Sequence, residues 1–122
     1  MEKVILIVED NPSNLKLIRD LLQVSGCRTI EAADGKQGVE LAKAEKPALI
    51  LMDIEMPVMD GLEATRTLKA DPMANGIPIV ALTSYAMKGD EERIRAAGCD
   101  GYVTKPIDTK EFLKKISESL SR

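Results

Sequence analysis

Apolar residues along this chain follow two alternating rhythms. Val4-Ile5-Leu6-Ile7-Val8, Ala48-Leu49-Ile50-Leu51-Met52 and Ile79-Val80-Ala81-Leu82 are unbroken runs, and between them apolar positions recur every three or four residues. A short continuous run bounded by turn formers predicts a strand buried on both faces, and the longer spacing predicts an amphipathic helix. Asn11-Pro12 opens the first helix, with Asn as cap and Pro in the first turn; Leu15, Leu17, Ile18, Leu21 and Leu22 form its inward face and Gly26 stops it. Thr29-Ile30-Glu31-Ala32-Ala33 is a weaker second strand, and Asp34-Gly35 opens a helix through Val39, Leu41 and Ala42 that ends before Pro47.

The third strand runs into Asp53, and Asp60-Gly61 opens a helix carrying Leu62, Thr65 and Leu68. A loop over 71–78 leads to the fourth strand, which ends in Thr83-Ser84. A helix over 88–97 is stopped by Gly98, and Gly101-Tyr102-Val103-Thr104 is a short fifth strand followed by Lys105-Pro106. Asp108 and Glu111 have the spacing of a capping box for a last helix with Phe112, Leu113, Ile116 and Leu120 inward. Five strands alternating with five helices predict a parallel sheet with right-handed crossovers. The expected fold is α/β, a flavodoxin-like (βα)5 arrangement with strand order 2-1-3-4-5 and helices on both faces.

Composition narrows the chemistry. The 122 residues suit one domain, expected over 1–122 with no output domain following. The sequence has no run long enough to span a bilayer and no signal-peptide core, so a cytoplasmic protein without membrane contact is expected. A net charge of −3 with no Lys/Arg cluster argues against direct nucleic-acid binding. Histidine is absent, and Cys27 and Cys99 lack paired-ligand spacing. Histidine acid–base catalysis is thereby excluded, and two reduced thiols are a better reading of the cysteines than a Cys/His metal site. Carboxylates, hydroxyls, lysines and a hard metal ion remain.

Three predicted strands end in polar groups: Glu9-Asp10, Asp53 and Thr83-Ser84, with Lys105 after the fifth. In a parallel sheet these ends share one edge, where open α/β sheets place their ligands. Taken singly, each has an ordinary explanation: a solvated carboxylate, favourable charge at a helix N-terminus, a β-forming threonine, a surface amine. Together they form a cluster of carboxylates that repel unless they take up a proton or a cation. All-oxygen donors with open positions suit Mg²⁺. A cation beside a hydroxyl and an ammonium accommodates a phosphoryl group. With no glycine-rich phosphate loop, a carboxylate nucleophile is the expected carrier, and Asp53 is central.

On Glu9-Asp10, the stretch Met52-Asp53-Ile54-Glu55-Met56-Pro57-Val58-Met59-Asp60-Gly61, Thr83 and Lys105-Pro106, the chain resembles a response-regulator receiver domain of two-component signalling over essentially its whole length. Residues 86–93 and 98–106 are most similar to stand-alone regulators and to receiver modules of hybrid histidine kinases. The resemblance implies that Asp53 accepts a phosphoryl group from a phosphohistidine on a histidine kinase or histidine phosphotransfer protein. It implies Mg²⁺ held by Asp10, Asp53 and the backbone carbonyl of Glu55, with Glu9 assisting. It gives Lys105, Thr83 and the Ser84 N–H to the phosphoryl oxygens, and makes Tyr102 a switch residue behind Thr83. The face made by the fourth helix, fifth strand and fifth helix would then change shape for a downstream protein target. Glu55 and Tyr85 would tune phosphoryl lifetime, and the Lys105-Pro106 bond is expected to be cis. The residue types leave other readings open: a Mg²⁺-dependent aspartyl phosphatase of the haloacid-dehalogenase type, an FMN carrier, or a phosphate-independent binding module. Glu9-Asp10 would repel a flavin phosphate, and Tyr85, Tyr102 and Phe112 are the only aromatics to stack on a flavin.

Overall fold

The computed structural model describes residues 3–56, 60–84 and 88–121. Strand β1 (Val4–Val8) leads into α1 (Pro12–Val24), β2 (Arg28–Ala32), α2 (Gly35–Glu45), β3 (Leu49–Asp53) and α3 (Gly61–Lys69). Then come β4 (Ile79–Thr83), α4 (Lys88–Ala96), β5 (Gly101–Thr104) and α5 (Thr109–Leu120). All strand pairs are parallel and the order is β2-β1-β3-β4-β5, as the alternation of runs predicts.

The side-chain period of two divides the sheet residues between two cores. Leu6 and Val8, Ile50 and Met52, Ile79 and Ala81 pack with Val39, Leu62, Leu68 and Ile94 from α2, α3 and α4. Ile5 and Ile7, Leu49 and Leu51, Val80 and Leu82 pack with Ile18, Leu22, Phe112 and Ile116 from α1 and α5. Every residue of β3 and β4 is buried, which is why these strands read as unbroken apolar runs.

Helix starts follow their capping residues. Asn11 Oδ1 accepts from the N–H groups of Ser13 (2.9 Å) and Asn14 (3.1 Å); Asp34, Asp60 and Asp108 each accept from the N–H three residues on. Gly98, at φ +109, lies in the left-handed region that follows a helix end.

Two local expectations differ. The second strand is Arg28–Ala32, one residue earlier than 29–33, because Arg28 pairs with Val4 while the Ala33 N–H leaves the ladder for Gln37 Oε1 at 2.8 Å. Leu17 is 41 % exposed, so it is not part of the inward face of α1: Ile18 and Leu22 sit squarely against the sheet, and Leu17 falls outside their arc.

Candidate functional site

The parallel register brings the carboxyl ends of β1, β3 and β4 side by side: Val8 lies opposite Met52, and Asp53 opposite Leu82. Glu9 follows β1, Asp53 ends β3 and Thr83 ends β4. All three are buried, with exposures of 1 %, 2 % and 0 %. Lys105 follows β5, and its backbone N–H donates to Thr83 O at 2.8 Å. That bond brings the amine back over the strand ends.

Lys105 is the hub of the charges. Its Nζ lies 3.2 Å from Asp53 Oδ2, 3.5 Å from Glu9 Oε2 and 3.8 Å from Glu55 Oε1. Burial works to lower the Lys105 pKa, but the Asp53, Glu9 and Glu55 carboxylates outweigh it and raise the value above that of a free lysine. Glu9 is pushed up to about 7, first by burial and then by the neighbouring Asp53 carboxylate. Asn14 and Lys105 oppose that shift without cancelling it.

Each carboxylate is held in place. Asp53 Oδ1 accepts from the Glu55 N–H at 2.9 Å, which folds the chain after β3 back over the site. Glu55 Oε1 in turn accepts from the Ser84 N–H at 3.0 Å, linking the end of β3 to the end of β4. Glu9 Oε1 accepts from Asn14 Nδ2 at 3.1 Å. Among the described residues Glu9 Oε2 accepts no hydrogen bond, although it is buried beside Asp53 and Lys105.

Glu9, exposed Asp10 and Asp53 each offer a carboxylate oxygen, and these oxygens all lie within 4.8 Å of one another. Three hard oxygen donors, one a buried orphan, fit a hard divalent cation that retains some of its waters. A bare cluster would be costly: two like charges about 4 Å apart repel by about 4 kcal/mol at an effective dielectric near 20.

Of the residues singled out from the sequence, the structure gathers Glu9, Asp10, Asp53, Glu55, Thr83, Ser84 and Lys105 at one sheet edge. The Lys105–Pro106 peptide bond is cis. Tyr102 stands on β5 in register with Ala81, two strand residues before the Thr83–Thr104 pair, so it and Thr83 share a face. Its hydroxyl reaches Glu91 of α4 at 3.4 Å, on a groove of about 450 Å³ between α4, β5 and α5. The Ser84 N–H, assigned to a phosphoryl oxygen by resemblance, is engaged by Glu55 here. Tyr85 lies outside the described residues.

Two residues of the site were not picked out from the sequence. Gly61 opens α3 against the back of the Asp53 segment, where an added Cβ would overlap the Asp53 carbonyl oxygen and lie 2.7 Å from Ile54 Cα. In the sequence Gly61 marks a helix start and the end of the stretch that carries the resemblance, with no sign of this close approach. Asn14 holds Glu9, and its sole sequence signal is its position in the first turn after the cap Asn11.

Comparison with known proteins agrees with this geometry. Residues 5–117 match the family model of the response regulator receiver domain. The polar-differentiation response regulator DivK of Brucella anthropi is 48 % identical over 120 residues, covering 98 % of each chain. The receiver domain of the sensor histidine kinase PA1611 of Pseudomonas aeruginosa, solved with a magnesium ion coordinated in its active-site cleft, superposes with a TM-score of 0.92 at 37 % identity, with both chains fully covered. The receiver domain of Ssk1 from Saccharomyces cerevisiae, solved with the histidine phosphotransfer protein Ypd1, gives a TM-score of 0.89 at 31 % identity over 96 % of this chain and 88 % of that one. A family match over nearly the whole chain, on a fold whose strand ends bring together acidic residues, a threonine and a lysine, means that this protein belongs to the response-regulator receiver domains of two-component signalling.

Proposed function

We propose that Asp53 is the phosphoacceptor, and that the protein takes a phosphoryl group from a phosphohistidine on a histidine kinase or phosphotransfer protein. The observation that carries this is the setting of Asp53: a buried carboxylate at the sheet edge, 3.2 Å from the Lys105 amine and within 4.8 Å of two further acidic ligands. An Asp53 oxygen forms the new bond to phosphorus. The bond from phosphorus to the donor imidazole nitrogen breaks, and its electron pair stays on that nitrogen.

Glu9, Asp10, Asp53 and the backbone carbonyl of Glu55 are the groups to hold Mg²⁺, which when bound neutralises phosphoryl oxygens. Lys105 supplies a second positive charge, and the Thr83 hydroxyl and Ser84 N–H supply donors. A phosphoryl group shifts an equilibrium only between arrangements whose contacts differ. Tyr102, on the Thr83 face and bonded outward to Glu91, is the side chain placed to respond. The α4, β5 and α5 face would carry the change to a downstream protein.

This reading makes the protein a cytoplasmic signalling switch. Any hydrolysis is that of its own phosphoryl group. No described helix is long and apolar enough to cross a membrane. The Ssk1 receiver solved with Ypd1 supports a phosphohistidine donor of the phosphotransfer type. The test is transfer from a labelled phosphotransfer protein. Label that moves to this chain, is released by hydroxylamine and is lost in Asp53→Asn supports the assignment. Repeated release of phosphate from a phosphomonoester would instead favour the aspartyl phosphatase reading, and binding of a partner without any labelling would favour a binding module.

A further inference from the structure

Glu9 is almost fully buried, yet its two carboxylate oxygens are treated differently: Oε1 is tied to Asn14 at 3.1 Å, while Oε2 has no hydrogen-bond partner among the described residues and lies beside Asp53 and Lys105. The terminal torsion of a glutamate is broad, so burial alone does not fix the plane of its carboxylate. A hydrogen bond from one side does. Asn14 is itself pinned, because it is the third residue of α1 and its backbone N–H donates to the cap Asn11. A chain of contacts therefore runs from the helix cap through Asn14 to Glu9 and the acidic pocket.

The residue type matters. A lysine or arginine at position 14 would neutralise Glu9 and compete with a cation. A carboxamide donates a hydrogen bond while adding no charge of its own beside the carboxylates. Outer hydrogen bonds of this kind orient metal-binding carboxylates.

We infer that Asn14 is a positioning residue for divalent-cation binding: its side-chain amide fixes the Glu9 carboxylate so that Oε2 faces the pocket shared with Asp10 and Asp53. The inference rests on reading that pocket as a Mg²⁺ site. It extends the site beyond the acidic residues to the first turn of α1.

The experiment is calorimetric titration of the unphosphorylated protein with Mg²⁺. Asn14→Ala removes the amide and leaves a residue favourable to helix, so the fold is retained. Its Mg²⁺ affinity should fall by about tenfold or more, the usual cost of losing an outer-shell partner. Asn14→Gln, which keeps the donor, should recover part of the loss. In a Glu9→Gln background, Asn14→Ala should cause little further loss, since residues acting through one contact are not additive. Wild-type affinity in Asn14→Ala, or full additivity with Glu9→Gln, would overturn the positioning role while leaving the Mg²⁺ site intact. Absence of Mg²⁺ binding by the wild type would overturn the pocket reading and this inference together.

Discussion

The Glu55 carboxylate accepts a hydrogen bond from the Ser84 N–H at 3.0 Å, and the same oxygen lies 3.8 Å from Lys105 Nζ. These are two of the groups proposed to bind phosphoryl oxygens. On that proposal Glu55 engages donors that an incoming phosphoryl group would need and places negative charge where that group would arrive. Glu55→Ala frees the Ser84 N–H and removes the repulsion. Its rate of labelling by acetyl phosphate, followed by intact mass, should rise several-fold. A slower rate would show that the carboxylate aids the reaction.

Glu9 links the site to stability. Its pKa rises from 4.5 to about 7 on folding, chiefly through burial and then through Asp53. The folded state therefore binds the proton more tightly than the unfolded one. Stability from this group is fully present below pH 4.5 and is lost as pH rises through about 7. The loss is on the order of 3 kcal/mol at most, at about 1.4 kcal/mol per pKa unit. Lys105 stays protonated across this window, and its raised pKa matters only at high pH. Denaturant unfolding without divalent cations should show lower stability at pH 8 than at pH 5, and Glu9→Gln should flatten the difference. Mg²⁺ should restore stability at pH 8 by binding the folded state.

Gly61 sets how closely α3 approaches the Asp53 segment. A Cβ there meets backbone, which cannot swing aside as a side chain can. Gly61→Ala should cost about 1–3 kcal/mol of stability, the usual penalty for overpacking, and should slow Asp53 labelling. Equilibrium denaturation and the labelling rate check both effects. Unchanged values would mean that the helix start shifts freely.

Thr83 and Tyr102 test the switch separately from the chemistry. Thr83→Ala should leave Asp53 labelling largely intact while weakening the phosphorylation-induced change at the α4, β5 and α5 face. Comparing amide exchange in α4 and β5 of the phosphorylated variant and wild type reads that change. Equal responses would place the coupling route elsewhere.

The strands and their order were legible because β3 and β4 are buried on both faces and must be apolar throughout, so a polar residue at the end of such a run stands out. That is how Asp53 and Thr83 were found. Leu17 was less legible, because a row of leucines marks a helix without showing which ones its tilt on the sheet buries. The Glu55–Ser84 and Asn14–Glu9 contacts were not legible from pattern at all. They join side chains to neighbouring elements through single hydrogen bonds, and hydrophobic periodicity carries no record of such bonds.

The central claim is that Asp53 carries the phosphoryl group with Mg²⁺ in the acidic pocket. The most direct test is intact mass after incubation with acetyl phosphate, with and without Mg²⁺, on wild type and Asp53→Asn. The account predicts one Mg²⁺-dependent phosphoryl adduct on the wild type and none on the variant. An adduct that persists in Asp53→Asn, or that forms equally well without Mg²⁺, would contradict it.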